Sequence, residues 1–158
     1  MRTVFDGEST RSVHPLVKVV NASEAIGSMV DPITLVSRAL MAAFFLNEGF
    51  AKIRDFSGVA AYMRSFGVWP ELEPLVVIAE LGGGLLILLG LATRLSAMGL
   101  AIYTLLAAFF FHTNFADADQ FIHFQKNLTI AGGFLALSAC GAGVWSLDAW
   151  IVRRRGGL

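Results

Sequence analysis

Four long apolar segments constrain the fold of this chain more than any other feature. They cover approximately residues 32–50, 75–91, 95–111 and 121–140. Each segment has 17–20 residues, and a helix of that length rises about 1.5 Å per residue, which nearly crosses ~30 Å of hydrocarbon. The first and fourth segments contain polar residues, whereas the middle two are almost continuously apolar. The segments therefore predict four transmembrane helices.

The composition supports a membrane protein and excludes several other classes. The chain has 158 residues, of which 56% are hydrophobic and 15% charged, against about 25% charged in soluble domains. A soluble domain of this size has too little interior for so many apolar side chains. The net charge is zero and there is one cysteine, so neither nucleic-acid binding nor an internal disulfide is expected. We predict an all-α integral membrane four-helix bundle.

The connections between the segments differ in length. A tight hairpin at residues 92–94 joins the second and third segments, and residues 51–74 join the first and second. Apolar residues within the longer connection recur at helical spacing, namely Phe56, Val59, Ala60, Met63 and Phe66. Asp55 is a candidate cap for this short helix and Gly67 a candidate end. The helix either lies in the membrane interface, anchored near Trp69, or packs on the bundle as an ordinary loop helix.

Three regions and one orientation follow. Residues 1–31 form an N-terminal cytoplasmic arm without the apolar core of a signal peptide. Residues 32–150 form the transmembrane domain, and residues 151–158 form a basic tail. With four spans, one side of the membrane receives eight Lys and Arg residues and the other receives four. This imbalance predicts that both termini are cytoplasmic, in a multi-pass protein of the bacterial inner membrane.

Polar side chains from all four segments converge on one layer near the predicted outer surface. They are Asn47, Glu48, Lys52, Glu80, His112, Asn114, His123, Lys126 and Asn127. Ionisable groups at membrane depth usually face the bundle interior, where they pair or line a wet cavity. The layer is either a ligand-binding pocket or a structural knot that locks the helices together. Glu80 and Asn127 are the deepest members and hence the leading candidates for a functional role.

Other chemistries find little support in the sequence. His112 and His123 could be combined with Asp117 and Asp119 into a metal site, but no tight ligand spacing supports one. The same two histidines give no support for haem ligation. No phosphate loop is present, because no strand precedes the glycines at 82–84. We therefore predict neither a metal nor haem.

The glycines of the second segment suggest close helix packing. Glu80, Gly83, Gly84 and Ile87 share one helix face, and small residues allow helix backbones to approach closely in lipid. The fourth segment has its own row of small residues, Gly132, Ala136 and Cys140. We expect these two rows to meet beside Glu80.

Three stretches of the sequence resemble the DoxX family of small bacterial membrane proteins. They are "RALMAAFFLNEGFAKI", "AELGGGLLILLGLATR" and "HFQKNLTIAGGFLALSACGAGVWSLD", and the resemblance covers approximately residues 33–148. It implies a four-helix inner-membrane bundle. It implies function only loosely, because relatives include a subunit of a thiosulfate:quinone oxidoreductase and members linked to redox or stress complexes.

Two functional hypotheses follow from the polar layer and the resemblance. The first is a redox-associated membrane subunit near the quinone pool, whose outer layer receives a quinone head or a small anionic substrate. The alternative is a non-catalytic accessory or assembly subunit of a membrane complex. Both imply the lipid bilayer and a membrane or redox protein as partners, and neither decides whether the chain is an enzyme.

One structural contact is also expected at the cytoplasmic ends of the helices. Arg38, Arg94 and Asp148 all lie there in the predicted topology. We expect Asp148 to form an ion pair with Arg38 or Arg94 and so to tie the tail to the bundle.

Overall fold

The computed structural model of the chain describes Gly27 and residues 29–156, and this part is helical. The predicted arm at residues 1–31 lies almost entirely outside the described residues, and the domain boundaries stay predictions. The elements, in chain order, are α1 (Val30–Arg54), α2 (Phe56–Ser65), a 3-10 turn (Pro70–Leu72), α3 (Glu73–Leu89), α4 (Thr93–Phe111), α5 (Ala118–Cys140) and α6 (Leu147–Arg155).

The four predicted apolar segments all coincide with long helices, namely α1, α3, α4 and α5. Three stretches within the described residues are long and apolar enough to cross a membrane, Val30–Arg54, Pro70–Leu89 and Thr93–Phe111. The helix α5 has 23 residues, but its first turns are polar. We name the two ends of the helices by the residues there: the Arg54 end holds Arg54, Glu73 and Phe111, and the Arg94 end holds Leu89 and Arg94.

The long helices share one apolar core. It contains Ala42 and Phe45 of α1, Ile87 of α3, Ala97, Leu100 and Ala101 of α4, and Phe134 and Leu137 of α5. The rings of Phe45 and Phe134 meet edge to face with centroids 5.3 Å apart, a favoured aromatic geometry. Phe45 also contacts the ring of Tyr103 at 6.2 Å, so the core continues directly into the polar region above it.

Glycines of α3 lie where this helix meets its neighbours. A Cβ atom at Gly83 would come within 2.8 Å of Leu100 on α4, and one at Gly84 within 3.2 Å of Leu46 on α1. The expected contact with the small-residue row of α5 is wrong. A Cβ at Gly132 would meet nothing within 4 Å, and Cys140 is exposed, so that row faces away from α3.

Asp148 holds α6 against the turn between α3 and α4. Its carboxylate accepts hydrogen bonds from the backbone N–H of Ala92 at 2.7 Å and of Thr93 at 2.9 Å. Its own N–H donates to the carbonyl of Gly90 at 2.9 Å. The predicted ion pair is therefore not formed; the carboxylate instead satisfies amides at the N-terminus of α4, which have no partner within that helix.

The two arginines at this end bind carbonyl groups instead of Asp148. Arg38 is fully buried and donates to the carbonyls of Leu88 at 3.2 Å and Trp145 at 2.5 Å. Arg94 donates to the last carbonyls of α5, including that of Ser138 at 2.9 Å. Guanidinium groups thus satisfy the C-terminal carbonyls of α3 and α5, where a positive charge is also favoured by the helix dipole.

The short helix between the first two long helices is confirmed, together with both of its predicted ends. Asp55 caps α2 by accepting from the N–H of Gly58 at 3.1 Å. Gly67 follows the helix with φ of +71°, a conformation that favours glycine. Whether α2 lies in the membrane interface stays a prediction.

Candidate functional site

A cavity of about 580 Å³ lies toward the Arg54 end of the long helices. Its apolar lining comes mainly from α2, α3 and α4. Its polar lining comes from α1 to α5 and from the residue after α4, and consists of Glu48, Lys52, Tyr62, Glu80, Tyr103, Thr104, His112, Lys126 and Asn127. The polar convergence that the sequence indicated therefore surrounds open space.

Glu80 is the centre of the polar lining. Its side chain is buried, with the residue only 4% exposed. Tyr103 donates its hydroxyl hydrogen bond to Glu80 Oε1 at 2.6 Å, and Lys52 Nζ lies 2.9 Å from Glu80 Oε2. Lys52 is also 3.4 Å from Glu48 Oε2. These two contacts of Lys52 are the ion pairs found within residues 29–156. Ion pairing in this part of the chain is therefore confined to the cavity.

The sequence brings these groups together through helix periodicity and one glycine. Glu48 and Lys52 are four residues apart and share a face of α1. Gly49 is buried between α1 and α3, and a Cβ there would come within 2.7 Å of Leu81 and 3.3 Å of Glu80 Cβ. The absent side chain lets the two backbones approach, and that approach brings Lys52 within reach of Glu80.

The remaining predicted residues divide into two groups. Asn127 is buried at 9% exposure and lines the cavity, as does Lys126, whose Nζ lies 5.6 Å from the centre of the Phe44 ring. His112 lines it as well. Asn47, Asn114 and His123 are exposed and are not part of the lining. The His123 ring nevertheless stacks on His112, with centroids 5.1 Å apart.

Aromatic residues frame the cavity near its polar end. The ring of Tyr62, from α2, lies 4.8 Å from Phe66 and 5.5 Å from Phe111. Burial raises the pKa of the Tyr62 phenol, and a hydrogen bond with Gln120 offsets part of this rise. Gln120 Oε1 also accepts a hydrogen bond from His112 Nδ1 at 2.8 Å. Tyr62 is therefore a neutral phenol at physiological pH, and α2 is joined through Gln120 to α4 and α5.

Tyr103 is the residue of the Glu80 cluster that sequence reasoning missed, and Tyr62 and Thr104 of the lining were missed as well. It lies in the most uniformly apolar part of α4, where an aromatic side chain resembles an ordinary core residue. The available signal was its hydroxyl group, because a tyrosine within a membrane segment requires a hydrogen-bond partner. Here the partner is Glu80, which is 23 residues earlier in the chain.

The site has apolar walls and, at one end, a group of polar side chains that we call the floor: Glu48, Lys52, Glu80, Tyr103 and Lys126. Tyr103 and Lys52 supply donors, and Glu80 supplies an acceptor that can also take up a proton. Two carboxylates and two lysines around the cavity balance in charge. Within the described residues, no group of three His, Cys, Asp or Glu side chains is placed to hold a metal ion. The arrangement suits a molecule with a hydrogen-bonding head and an apolar body.

The apolar helices define this chain as an α-helical membrane protein, and comparison with known proteins identifies its family. The family model described as DoxX matches residues 33–113. The chain belongs to the DoxX family, as the sequence motifs indicated.

Two curated relatives come from Escherichia coli strain K12. The chain is 47% identical over 114 residues to "Inner membrane protein YqjF", which covers 72% of this chain and 88% of that protein. It is 37% identical over 129 residues to "Inner membrane protein YphA", which covers 77% of this chain and 92% of that protein. No solved structure matches the chain.

Proposed function

We propose that this chain is a redox-associated subunit of the bacterial inner membrane that binds the polar head of a quinone-like molecule beside Glu80. The observation that carries the proposal is the cavity of about 580 Å³ that reaches the buried Glu80–Tyr103–Lys52 cluster. The names of the two relatives support the inner membrane as its location.

The proposed topology has four spans with both termini in the cytoplasm, so that the Arg54 end faces outward. The excess of Lys and Arg at the Arg94 end supports this orientation. In it, α5 is the fourth span, and its polar first turns contribute Lys126 and Asn127 to the cavity rather than to lipid.

The space around the polar groups favours a pocket over a structural knot. A knot needs its polar groups paired with each other and packed without a void. Here Glu80 is paired, but Lys126 and Asn127 are arranged around a volume that lies in the range of small-molecule sites, roughly 300–1,000 Å³. The polar groups also lie together at one end of an otherwise apolar lining, which is the pattern expected for orienting an amphiphile.

The residues have distinct roles in the proposed site. Tyr103 orients Glu80 through its hydroxyl group, and Lys52 stabilises the ionised carboxylate. Glu80 accepts a proton from the bound head or returns one to it, and Lys126 and Asn127 offer further hydrogen bonds. Electrons would be carried by the ligand and a partner protein, because these side chains supply no redox centre of their own.

Purification under native conditions tests this function. We expect quinones and a redox protein to co-purify with the wild-type chain, and a Glu80→Gln strain to grow poorly under redox stress. Glu71→Gln is the matched control, because Glu71 is exposed and outside the cavity lining.

Three outcomes would count against the proposal or refine it. Full growth of the Glu80→Gln strain, together with recovery of neither quinone nor redox partner, rejects it. Recovery of a protein partner without quinone, with the Glu80→Gln strain still growing fully, supports the accessory-subunit alternative instead. Equal growth defects in the Glu71→Gln and Glu80→Gln strains would show that the defect does not arise in the cavity.

A further inference from the structure

Several apolar residues that line the cavity have at least half of their surface exposed. They are Leu75 of α3, 63% exposed, and Ile102, Leu106 and Phe110 of α4, which are 52%, 50% and 56% exposed. Both helices are apolar and long enough to cross a membrane. A side chain that contacts the cavity and also faces outward from these helices lies at an opening. The cavity therefore has an opening toward the hydrocarbon of the bilayer.

The opening is elongated along α4. Gly99, Ile102, Leu106 and Phe110 follow one another at intervals of three or four residues and share one face. From Gly99 to Phe110 the helix rises about 16 Å, roughly half the hydrocarbon thickness. A Cβ at Gly99 would meet nothing within 4 Å, so the glycine leaves space at the deep end of this row.

From this geometry we propose that the cleft between α3 and α4 is a lateral port for a neutral amphiphile dissolved in the membrane. The head of the molecule binds at Glu80 and Tyr103, and its apolar tail lies in the cleft along Ile102 and Leu106. This inference rests on the proposed ligand-binding function and adds the route of entry and the position of the tail.

The charges around the floor favour a neutral head. Glu48 and Glu80 contribute two negative charges, and Lys52 and Lys126 contribute two positive ones. Lys52 is already held between both carboxylates, at 2.9 and 3.4 Å. Lys126 has no ion pair among the described residues, but the four charges sum to zero, so the floor as a whole carries no net positive charge to draw an anionic head into a low-dielectric site. The row of apolar residues, in turn, selects for a tail that already resides in the bilayer.

Two benzoquinone probes test the port, one with a decyl tail and one without a tail. Binding of each radiolabelled probe is measured on the full chain in lipid nanodiscs, with empty nanodiscs subtracted. Leu106→Trp places a large side chain in the cleft, and Ile102→Trp repeats the test one turn deeper. Phe109→Trp is the matched control, because Phe109 is 60% exposed on the same helix and outside the lining.

The expected result distinguishes the contribution of the tail to affinity from that of the head. Leu106→Trp and Ile102→Trp weaken the decyl probe about tenfold, which is about 1.4 kcal/mol, and leave the tailless probe within about twofold. Phe109→Trp changes neither probe. Unchanged affinity of the decyl probe in both cleft variants, or equal losses in Phe109→Trp, overturns the port while leaving the Glu80 site intact. Failure of both probes to bind the wild-type chain rejects the proposed function itself.

Discussion

Replacing Asp148 with Asn removes the charge that fastens α6 to the start of α4. In the wild-type chain the carboxylate accepts two backbone hydrogen bonds, at 2.7 and 2.9 Å, from Ala92 and Thr93. The Asn amide has one oxygen, so it keeps at most one of these bonds and leaves the other N–H without a protein partner. The variant is therefore expected to be less stable, although no ion pair is lost.

The expected magnitude follows from the helix-capping geometry. Loss of a capping side chain costs about 0.5–2 kcal/mol, and loss of a negative charge at a helix N-terminus costs about 0.3–1 kcal/mol. Since Asn retains part of the cap, we expect a decrease of about 1–2 kcal/mol in the free energy of unfolding. For a chain of this size that corresponds to roughly 2–8 °C in Tm.

The effect must also depend on pH. Burial alone would raise the pKa of Asp148, but the hydrogen bonds from Thr93 and Ala92 and the nearby charge of Arg38 outweigh it, so the pKa lies below its ordinary value of 3.8. Because the unfolded chain binds the proton more readily, this stabilisation is complete above that ordinary value and is lost as the pH falls through the lower folded pKa.

Thermal unfolding in detergent, followed by intrinsic fluorescence at pH 7 and at about pH 3, measures both effects. The difference between wild type and Asp148→Asn should shrink at the acidic pH. Asp119→Asn is the control for loss of a helix N-terminal charge without loss of a cap, since Asp119 is exposed in the first turn of α5, where Asp117 is the capping residue. A Tm unchanged by Asp148→Asn at pH 7, or an equal loss in the control, would refute the capping role.

Two further predictions concern packing and the basic tail. Gly83→Ala should lower the free energy of unfolding by about 1–2 kcal/mol, because its Cβ would meet Leu100 at 2.8 Å. Gly82→Ala is the control and should be neutral or stabilising, because its Cβ would meet nothing within 4 Å. A Tm for Gly83→Ala that is not below that of Gly82→Ala would contradict this packing role. Neutralising the exposed arginines at 153–155 should reduce the retention of anionic phospholipid in native mass spectrometry. The reason is that each arginine contributes about 1 kcal/mol near an anionic surface. Undiminished retention would contradict this prediction.

The helices and turns were predictable because their causes are local. Apolar segments of sufficient length gave α1, α3, α4 and α5. The predicted tight hairpin is found where α3 ends, with Gly90 at φ of +66°, and α4 begins at Thr93. Asp55 caps α2 as its position indicated. Each of these features depends on residues within a few positions of one another.

The contacts of Asp148 and of the glycines were less predictable because they depend on backbone geometry. Opposite charges suggested an ion pair, but unsatisfied amides at Ala92 and Thr93 lay closer to the carboxylate. Similarly, the row that includes Gly132 indicated a packing surface, although such a row can equally face outward. Charge and size are visible in a sequence, but the rotation of each helix about its axis is not.

The candidate site was predictable in its depth but not in its full membership. Assigning depth along each helix placed Glu80, Lys52 and Asn127 at one level, and all three line the cavity. Asn47 lies at a similar level but on another face of α1, so it is exposed. Tyr103 was missed because its partner, Glu80, lies on a neighbouring helix.

Native mass spectrometry of the chain extracted with its surrounding lipid shows directly whether the cavity beside Glu80 holds a ligand. We expect a small molecule, distinct from phospholipid, bound in a one-to-one ratio to the wild-type chain. We also expect that Tyr103→Phe, which removes the 2.6 Å hydrogen bond to Glu80, lowers the occupancy about tenfold, the effect of losing a hydrogen bond to a charged group. A wild-type chain that carries phospholipid alone, or an occupancy that Tyr103→Phe leaves unchanged, would contradict ligand binding beside Glu80.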